Sequence, residues 1–452
     1  MNLLEQINQF IWGVPTLILI VGVGIYLSIR TKFAQFRLLP KALRKLIKMI
    51  TGHETSTKGV SSFQALCTAL AATVGTGNLA GVAGAIAIGG PGSIFWMWIC
   101  GFLGMATKFA EVVLAVRFRT KNESGEFVGG PMYMIRQGMG VKWKWLAAVY
   151  AFFGVTAAFG VGNATQINTV INSINSAMIA FGGAQTQRGN LLIGLGLTVI
   201  IGLILLGGAK RIGVVAEKLV PFASVAYISL CVIVLIMRSS FIADAFRSII
   251  CGAFAPEAVT GGVIGSALRA LSVGARRGVF TNEAGMGTAS IAHSSANVSD
   301  PIEQGLMGII EVFLDTIIIC TLTALVILCS GIPILYGMDT GIDLTAKAFD
   351  SVFGGWVQIF LAVALTCFAL ATVLGWGVYG IRCAQYLFGA KAWRFFAWVQ
   401  TATVMLGALL NTEVVWTVAE ILNGLMAIPN LIAVAYLSPE LFKLLENTGK
   451  QK

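Results

Sequence analysis

Apolar residues along this chain occur in long runs, separated by short connections that carry most of the charges. No lysine, arginine, aspartate or glutamate occurs in 11–29, 191–209 or 316–338. A helix needs about 20 apolar residues to cross the hydrocarbon core of a bilayer. The pattern therefore predicts an all-α integral membrane protein with about eleven transmembrane helices in a single domain over 1–452. The predicted spans, numbered one to eleven, are 11–29, 62–88, 91–116, 145–178, 190–208, 219–237, 257–297, 303–331, 355–381, 395–411 and 414–437.

Two of these spans, the second and the seventh, are interrupted by glycines and polar residues. The interruptions are Gly75-Thr-Gly-Asn78 in span two and the segment 280–289, Phe-Thr-Asn-Glu-Ala-Gly-Met-Gly-Thr-Ala, in span seven. Each opens a group of five spans, 62–237 and 257–437, and because five is odd the two groups have opposite orientations. Interrupted helices at corresponding places in two inverted repeats indicate a transporter with its site at the bilayer midplane. Span one, 11–29, is then an extra N-terminal span.

Open backbone groups at such interruptions favour an amino acid together with a cation. A glycine destabilises a helix interior by about 1 kcal/mol relative to alanine, and an unwound turn in lipid persists only where its backbone groups find partners. Amides at a half-helix N-terminus can bind a carboxylate, and carbonyls at a half-helix C-terminus can bind Na⁺. Close helix packing is the alternative explanation for the glycines. The polarity of 281–283 favours binding, because packing faces do not need it.

The composition agrees with a membrane protein: 57% of the 452 residues are hydrophobic and 11% are charged, whereas soluble domains have about 25% charged residues. Lysines and arginines concentrate in the C-terminal tail, 438–452, and in the connections after spans one, three, five and nine. By the positive-inside rule these parts are expected to be cytoplasmic. We therefore expect a multi-pass protein of the cell membrane, with the N-terminus outside and the C-terminus in the cytoplasm.

In a soluble protein, the net charge of +11 would suggest nucleic acid as a partner. Here most basic residues lie in the connections between spans, so the positive-inside rule accounts for the charge. No nucleic-acid partner is expected. The basic amphipathic segment 30–60 is expected to lie on the cytoplasmic membrane surface against anionic lipid. The oligomeric state cannot be predicted, and a monomer is sufficient for transport.

Several polar residues inside the spans allow two interpretations each. Asn163, Thr165, Gln166 and Asn168 in span four could form hydrogen bonds between helices, and of these Gln166 is our candidate to reach a substrate. Lys108 and Glu111 lie near the cytoplasmic end of span three, where they are expected to pair with each other or to snorkel.

Two acidic residues in span eight bear on the identity of the coupling ion. Glu311 and Asp315 share one helix face; they either pair with basic residues or carry a proton. Arg276 and Arg277 precede the interruption of span seven; the sequence does not assign their roles, and Glu283 and Asp315 are the candidate partners. H⁺ carried by Asp315 or Glu311 is therefore the alternative to Na⁺.

Two further functional classes are less favoured. A membrane-embedded enzyme would need a nucleophile with a base or clustered acids, and the chain has two histidines and no CxxC pair. A channel would need a repeated filter motif, which we do not find. No enzymatic activity and no organic cofactor are expected.

The segments Val74–Leu79 and Gly278–Gly287 resemble the signature segments of the alanine or glycine:cation symporter family, the sodium:alanine symporters of the amino acid–polyamine–cation superfamily. The resemblance extends over nearly the whole chain. It implies the leucine-transporter (LeuT) fold, a five-plus-five inverted repeat with two discontinuous helices and one extra N-terminal helix. It also implies Na⁺-driven uptake of the small neutral amino acids alanine and glycine, with D-alanine as a further candidate.

The same resemblance, carried over residue by residue, implies a substrate site at both interruptions and on span nine. The carboxylate would meet the amides of Thr76 and Gly77, while Phe280 and Trp376 would enclose a small pocket that favours alanine over leucine. With Gln166 included, the candidate substrate-binding residues are Thr73, Gly75, Thr76, Gly77, Asn78, Gln166, Phe280, Thr281, Thr372 and Trp376. Na⁺ would bind the carbonyls of Ala71 and Val74, next to Phe368 and Thr372 of span nine.

Overall fold

The structure, a computed structural model, is an assembly of helices with one small hairpin. It describes residues 3–52, 59–338, 341–408 and 412–450. Strands β1 (Thr120–Lys121) and β2 (Phe127–Val128) pair antiparallel in the connection after span three. The α-helices of the described residues are, in chain order, α1 Leu3–Ile11, α2 Val14–Arg30, α3 Ala34–Arg37, α4 Leu39–Ile50, α5 Ser62–Thr73, α6 Val82–Gly89, α7 Gly92–Arg117, α8 Pro131–Met134, α9 Lys144–Phe159, α10 Thr165–Ala180, α11 Gln187–Leu205, α12 Gly208–Met237, α13 Ile242–Phe254, α14 Pro256–Thr260, α15 Ala267–Asn282, α16 Thr288–His293, α17 Pro301–Val312, α18 Thr321–Cys329, α19 Ile342–Phe353, α20 Val357–Phe388, α21 Ala392–Gly407 and α22 Thr412–Lys450.

Short segments of tighter or wider helix connect several of these elements. Two of the wider, π-helical segments lie inside spans two and four, at Gly77–Gly81 and Gly160–Ala164, and a third lies in span eight at Phe313–Cys320. Such segments interrupt the regular hydrogen-bond ladder and are frequent at functional sites. Further segments of these kinds are Ile135–Met139, Val141–Trp143 and Ser239–Phe241.

The all-α membrane class predicted from the sequence is confirmed. Within the described residues, eight helical stretches are long and apolar enough to cross a membrane, and a ninth is the pair Ser62–Thr73 and Gly77–Gly89, bent by 51°. The eight are Leu3–Arg30, Gly92–Arg117, Val141–Ala180, Gln187–Leu205, Gly208–Met237, Pro301–Cys329, Val357–Phe388 and Glu420–Asn447.

The two other predicted spans differ from simple membrane-crossing helices. Span seven, predicted as 257–297, is not one helix: it covers most of α14, then α15 beginning at Ala267, and α16, with residues 283–287 between α15 and α16. Span ten, 395–411, corresponds to α21, a helix of 16 residues, and residues 409–411 lie outside the described part of the chain. A straight crossing needs about 20 residues. Length and composition alone therefore support nine spans, where eleven were predicted.

The outer surface of the bundle is apolar, and polar side chains at the interruptions are buried. Leu203 is 64% exposed, Phe222 69% and Ile236 69%. In contrast, Asn78 and Asp315 are completely buried. This distribution is the one expected for a protein surrounded by lipid, in which buried polar side chains mark functional positions.

The basic segment after span one forms α3 and α4, and two of its lysines form ion pairs with another helix. Lys41 Nζ lies 2.5 Å and Lys45 Nζ 2.9 Å from the carboxylate oxygens of Glu303, at the start of α17. Residues 53–58 lie outside the described part of the chain. The predicted C-terminal tail, 438–452, continues α22 without a break up to Lys450.

Glycines bring the interrupted helices close to their neighbours. A Cβ placed on Gly274 of α15 would lie 2.3 Å from the Ser93 carbonyl oxygen of α7. A Cβ on Gly375 of α20 would lie 2.7 Å from the Ala72 amide nitrogen of α5. Neither position could hold a larger residue without a shift of backbone, so α15 packs directly on α7, and α20 on α5.

Candidate functional site

The interruption of span two leaves backbone amides without a protein acceptor. Helix α5 ends before Val74, whose ψ of 99° is extended. The Gly75 amide donates to Asn78 Oδ1 at 2.8 Å, and the Asn78 amide donates to the Gly75 carbonyl at 3.3 Å. Thr76 and Gly77 lie between these two residues. Within the described residues, their backbone amides donate to no protein group. Two adjacent free N–H groups at the start of a helix are suited to bind a carboxylate.

A carbonyl is freed on the other side of the same interruption. The Gly75 amide would bond to the Ala71 carbonyl in a continuous helix, but it donates to the Asn78 side chain instead. Span nine approaches here, since a Cβ on Gly75 would lie 2.6 Å from Thr372 Oγ1. That hydroxyl donates to the Phe368 carbonyl at 3.0 Å. The structure thus brings Thr372 of the predicted cation group against the unwound turn, next to oxygen atoms of the kind that bind Na⁺.

The interruption of span seven faces that of span two directly. A Cβ on Gly77 would lie 3.1 Å from Thr281 Cγ2 and 3.7 Å from Phe280 Cδ1. The Thr281 hydroxyl donates to the Gly278 carbonyl at 2.9 Å, so its methyl group is what faces span two. Phe280 and Thr281, which were predicted from the sequence, therefore lie beside the free amides.

Span eight joins the two interruptions through a chain of side chains that the sequence did not predict. Asn78 Nδ2 donates to Asp315 Oδ1 at 2.7 Å, and Thr316 Oγ1 donates to Asp315 Oδ2 at 2.8 Å. Asn282 Nδ2 in turn donates to Thr316 Oγ1 at 3.1 Å. A buried carboxylate that is hydrogen-bonded in this way couples the positions of the two breaks.

The remaining predicted substrate residues differ in what they contact. Gln166 Oε1 accepts from Thr76 Oγ1 at 3.1 Å, which brings span four to the interruption. Trp376 is completely buried, and its Nε1 donates to Glu283 Oε1 at 2.9 Å. The Thr73 hydroxyl bonds back to carbonyls of its own helix, at 3.4 and 3.5 Å, so it does not turn toward the unwound turn.

The second interruption differs from the first because side chains hold its backbone. Glu111 Oε1 accepts from the Gly285 amide at 2.9 Å and from Asn430 Nδ2 at 2.6 Å. Asn430 Nδ2 also donates to the Gly285 carbonyl at 2.7 Å, and the Tyr150 hydroxyl donates to the Met286 carbonyl at 2.9 Å. Residues of α7, α9 and α22 therefore fix the turn between α15 and α16.

The prediction that Lys108 pairs with Glu111 or snorkels is wrong. Lys108 Nζ lies 3.1 Å from Glu311 Oε1, and both side chains are completely buried. His293 Nε2 lies 3.1 Å from the other oxygen of Glu311, and Gln304 contacts His293 Nδ1 at 2.8 Å. For Glu311 the structure thus supports ion pairing, because α17 presents it to the buried face of α7.

The expected partners of Arg276 and Arg277 are also corrected. Both arginines face Glu420 of α22, with nitrogen–oxygen distances of 3.8 Å. Glu283 instead accepts hydrogen bonds from Thr288 and Trp376, and Asp315 from Asn78. Glu420 lies far along the chain, in a helix whose neighbours cannot be read from sequence spacing.

Comparisons with known proteins agree with this architecture. The profile described as the sodium:alanine symporter family matches residues 1–452. The sodium/alanine symporter AgcS of Methanococcus maripaludis is 43% identical over 444 residues, which is 97% of this chain and 94% of that protein. The probable sodium/glutamine symporter GlnT of Bacillus subtilis is 37% identical over 447 residues, covering 98% and 90%.

A solved structure shares the fold. The crystal structure of MhsT in complex with L-phenylalanine matches with a TM-score of 0.59 and covers 84% of this chain and 89% of that chain. The sequence identity is 16%, so this likeness concerns the fold alone.

Proposed function

Since the chain belongs to the sodium:alanine symporter family, we propose that it couples Na⁺ entry to the uptake of alanine and glycine, with D-alanine as a further substrate, by alternating access. The family is one of transporters and not of enzymes, which removes the membrane-embedded enzyme as an alternative. The observation that carries the proposal is the pair of free amides at Thr76 and Gly77, because a carboxylate is the ligand they fit.

In the proposed site, the substrate carboxylate binds these amides. Asn78 holds the unwound turn open by accepting from the Gly75 amide. Gln166 orients the Thr76 hydroxyl by accepting a hydrogen bond from it. Both side chains are neutral amides. The groups that bind the substrate are therefore dipoles, which suit a zwitterion because it has no net charge.

The side chain of the substrate is proposed to face the aromatic residues. Phe280 lies 3.7 Å from where a Cβ on Gly77 would be, which leaves little space beside the amides. Trp376 forms the further wall on span nine. Small side chains such as those of alanine and glycine are expected to fit, and leucine is not. The relative GlnT is named for glutamine, which is larger than alanine. The size limit of this chain is therefore tested directly by competition.

Na⁺ is proposed to bind the carbonyls of Ala71 and Val74, with the Thr372 hydroxyl and the region around Phe368 on span nine. The freed Ala71 carbonyl and the approach of Thr372 to Gly75 support this position. One Na⁺ moving inward releases about 2.3 kcal/mol per 100 mV. Because about 1.4 kcal/mol corresponds to a factor of ten, this alone supports about 50-fold accumulation of a neutral substrate.

The proposed setting is the cell membrane, with the N-terminus outside and the C-terminus in the cytoplasm. Segments 62–237 and 257–437 act as inverted repeats, and span one is additional to them. Lipid is the surrounding partner, and the basic face of α4 meets anionic headgroups. A single chain contains every residue of the proposed site, so a monomer suffices.

H⁺ remains the second candidate for the coupling ion because of one observation. Asp315 is completely buried, contacts Asn78 of the interruption, and forms no ion pair within the described residues. Glu311 is less suited to carry a proton, because it pairs with Lys108.

The test is uptake of labelled L-alanine into liposomes that contain the purified protein, at fixed pH, with Na⁺ or with choline outside. We expect accumulation with Na⁺ and none above protein-free liposomes with choline. Unchanged uptake in choline would contradict Na⁺ coupling, and a dependence on an imposed pH gradient would then support Asp315. Competition by a panel of unlabelled amino acids in the same assay defines the size limit.

A further inference from the structure

The indole of Trp376 is held by a carboxylate on a different span. Its Nε1 donates to Glu283 Oε1 at 2.9 Å in a completely buried position. Its Cβ side is fixed by span four, because a Cβ on Gly162 would lie 2.3 Å from Trp376 Cβ. The ring of Tyr379 meets the indole edge-on, at 5.7 Å between centroids. The indole therefore has one polar anchor, and that anchor belongs to the interruption of span seven.

Glu283 occupies a backbone conformation that disfavours its own residue type. Its φ of +53° and ψ of 21° are left-handed, and it is one of three non-glycine residues with positive φ among the described residues. Glycines stand at the other left-handed positions of the same turn, Gly285 and Gly287. A side chain in this conformation is retained at functional positions when its contacts outweigh the strain.

The contacts of the Glu283 carboxylate join three elements. Oε1 accepts from Trp376 on α20, and Oε2 accepts from the Thr288 hydroxyl at 2.6 Å. Glu283 follows the last residue of α15, and Thr288 is the first of α16. One carboxylate thus links both halves of the interrupted span to the indole. Any change in the angle between the halves moves the acceptor of the Trp376 N–H group.

We propose that Glu283 is a positioning residue for Trp376 and thereby determines the largest amino-acid side chain that the site accepts. The inference rests on the proposed function, in which Trp376 is a wall of the substrate pocket. A buried indole N–H without an acceptor is costly, so removal of the carboxylate lets the indole leave its position. Larger substrates then gain the space that Trp376 excluded.

The variant Glu283→Gln removes the negative charge but keeps a hydrogen-bond acceptor for Trp376. The glutamine Oε1 can accept from Trp376 as the glutamate does, and its Nε2 can donate to the Thr288 hydroxyl, which also accepts. Glu283→Gln is therefore expected to keep the indole in place. Glu283→Ala removes the acceptor altogether. The exposed Glu257 provides a control, Glu257→Ala, for loss of an acidic residue elsewhere.

The experiment measures inhibition constants for unlabelled leucine and alanine against Na⁺-dependent uptake of labelled alanine in liposomes. We expect the leucine-to-alanine ratio of these constants to fall at least tenfold in Glu283→Ala. In Glu283→Gln it should remain within threefold of the wild-type ratio, as in the control. An unchanged ratio in Glu283→Ala would overturn the inference, and so would an equal fall in Glu283→Gln.

A double-mutant cycle with Trp376→Phe tests whether the effect passes through the indole. Phenylalanine has no N–H group, so Trp376→Phe alone should lower the ratio, and addition of Glu283→Ala should change it by less than twofold. A full tenfold effect of Glu283→Ala in the Trp376→Phe background would overturn the inference. If Glu283→Ala does not yield folded protein, Glu283→Leu, which also removes the acceptor but keeps a larger side chain, replaces it in both tests with the same expected and contradicting results.

Failure of the positioning role can be distinguished from failure of the proposed transport function. Wild-type protein that takes up no alanine with Na⁺ contradicts the proposed function before any variant is made. Wild-type uptake with a selectivity that does not respond to Glu283→Ala contradicts the positioning role alone.

Discussion

The two interruptions differ in what occupies their open backbone groups. In span two, the amides of Thr76 and Gly77 have no protein acceptor within the described residues. In span seven, the backbone of Gly285 and Met286 is bonded to side chains from three other helices. The two interruptions, although similar in sequence and position, therefore differ in structure. In the proposed function the first offers its groups to a ligand, whereas the second is fixed by the protein.

Charge divides the two regions in the same way. The side chains that bond to the unwound turn, Gln166 and Asn78, are neutral, and one carboxylate, that of Asp315, is bonded to Asn78. Behind the span-seven turn lie Glu111 and the buried pair Lys108–Glu311. Buried ions need partners to be tolerated. The charged region behind the span-seven turn is therefore expected to govern stability, and the region of the free amides to govern binding.

The largest effect is expected from Lys108→Ala, which leaves Glu311 buried without its ammonium partner. Removal of one partner of a buried pair costs about 3–5 kcal/mol of folding free energy. The apparent Tm of the detergent-purified protein should fall sharply. The matched control is Lys391→Ala, at an exposed lysine, which should leave Tm unchanged. Equal Tm values for the two variants would contradict a structural role for the charged region.

Asn430→Ala removes the donor that joins Glu111 to the Gly285 carbonyl. Loss of a buried hydrogen-bond partner costs about 1–3 kcal/mol, so Tm should fall by less than in Lys108→Ala. The dissociation constant for alanine should stay within threefold of the wild-type value. A large loss of affinity with unchanged Tm would reverse the division of roles between the two breaks.

The same substitution at the first break, Asn78→Ala, is expected to act on binding. It removes the acceptor of the Gly75 amide and the link to Asp315. The unwound turn then loses its shape, and alanine affinity should fall at least tenfold, which corresponds to about 1.4 kcal/mol. Equilibrium binding of labelled alanine in Na⁺ measures this. Wild-type affinity in Asn78→Ala would show that the turn needs no such support.

The smallest effect is expected from Lys41→Ala at the membrane surface. Glu303 keeps Lys45 as a partner, and exposed ion pairs contribute about 0–1 kcal/mol. Tm and alanine affinity should both remain close to wild type. A drop in Tm as large as that of Lys108→Ala would show that α4 is a structural element of the fold and not a surface segment.

The interruptions could be predicted because glycines and polar residues stand out inside apolar runs. The partners of those residues could not be. Asn78 and Asp315 are 237 positions apart, and Lys108 and Glu311 are 203 apart. Helix periodicity shows which face a side chain occupies but not which helix lies opposite. This is why the sequence suggests the neighbouring Glu111 as the partner of Lys108 and does not indicate Glu420 as the partner of Arg276.

Span counting shows the same limit. Hydropathy identifies an apolar segment at 395–411, but it does not show that the helix there ends at Gly407 after 16 residues. The break between α15 and α16 depends on left-handed residues, including Glu283, whose conformation no propensity would predict. Tertiary contacts, not local sequence, decide these positions.

The most direct test of the account is the binding of labelled L-alanine to Gly77→Val in the presence of Na⁺. The valine side chain would occupy the space in front of the free amides, where even a Cβ lies 3.1 Å from Thr281 Cγ2. Gly22→Val is the control, because a Cβ at Gly22 meets no atom within 4 Å. The account predicts no measurable binding to Gly77→Val and wild-type affinity in the control. Wild-type affinity in Gly77→Val would contradict it.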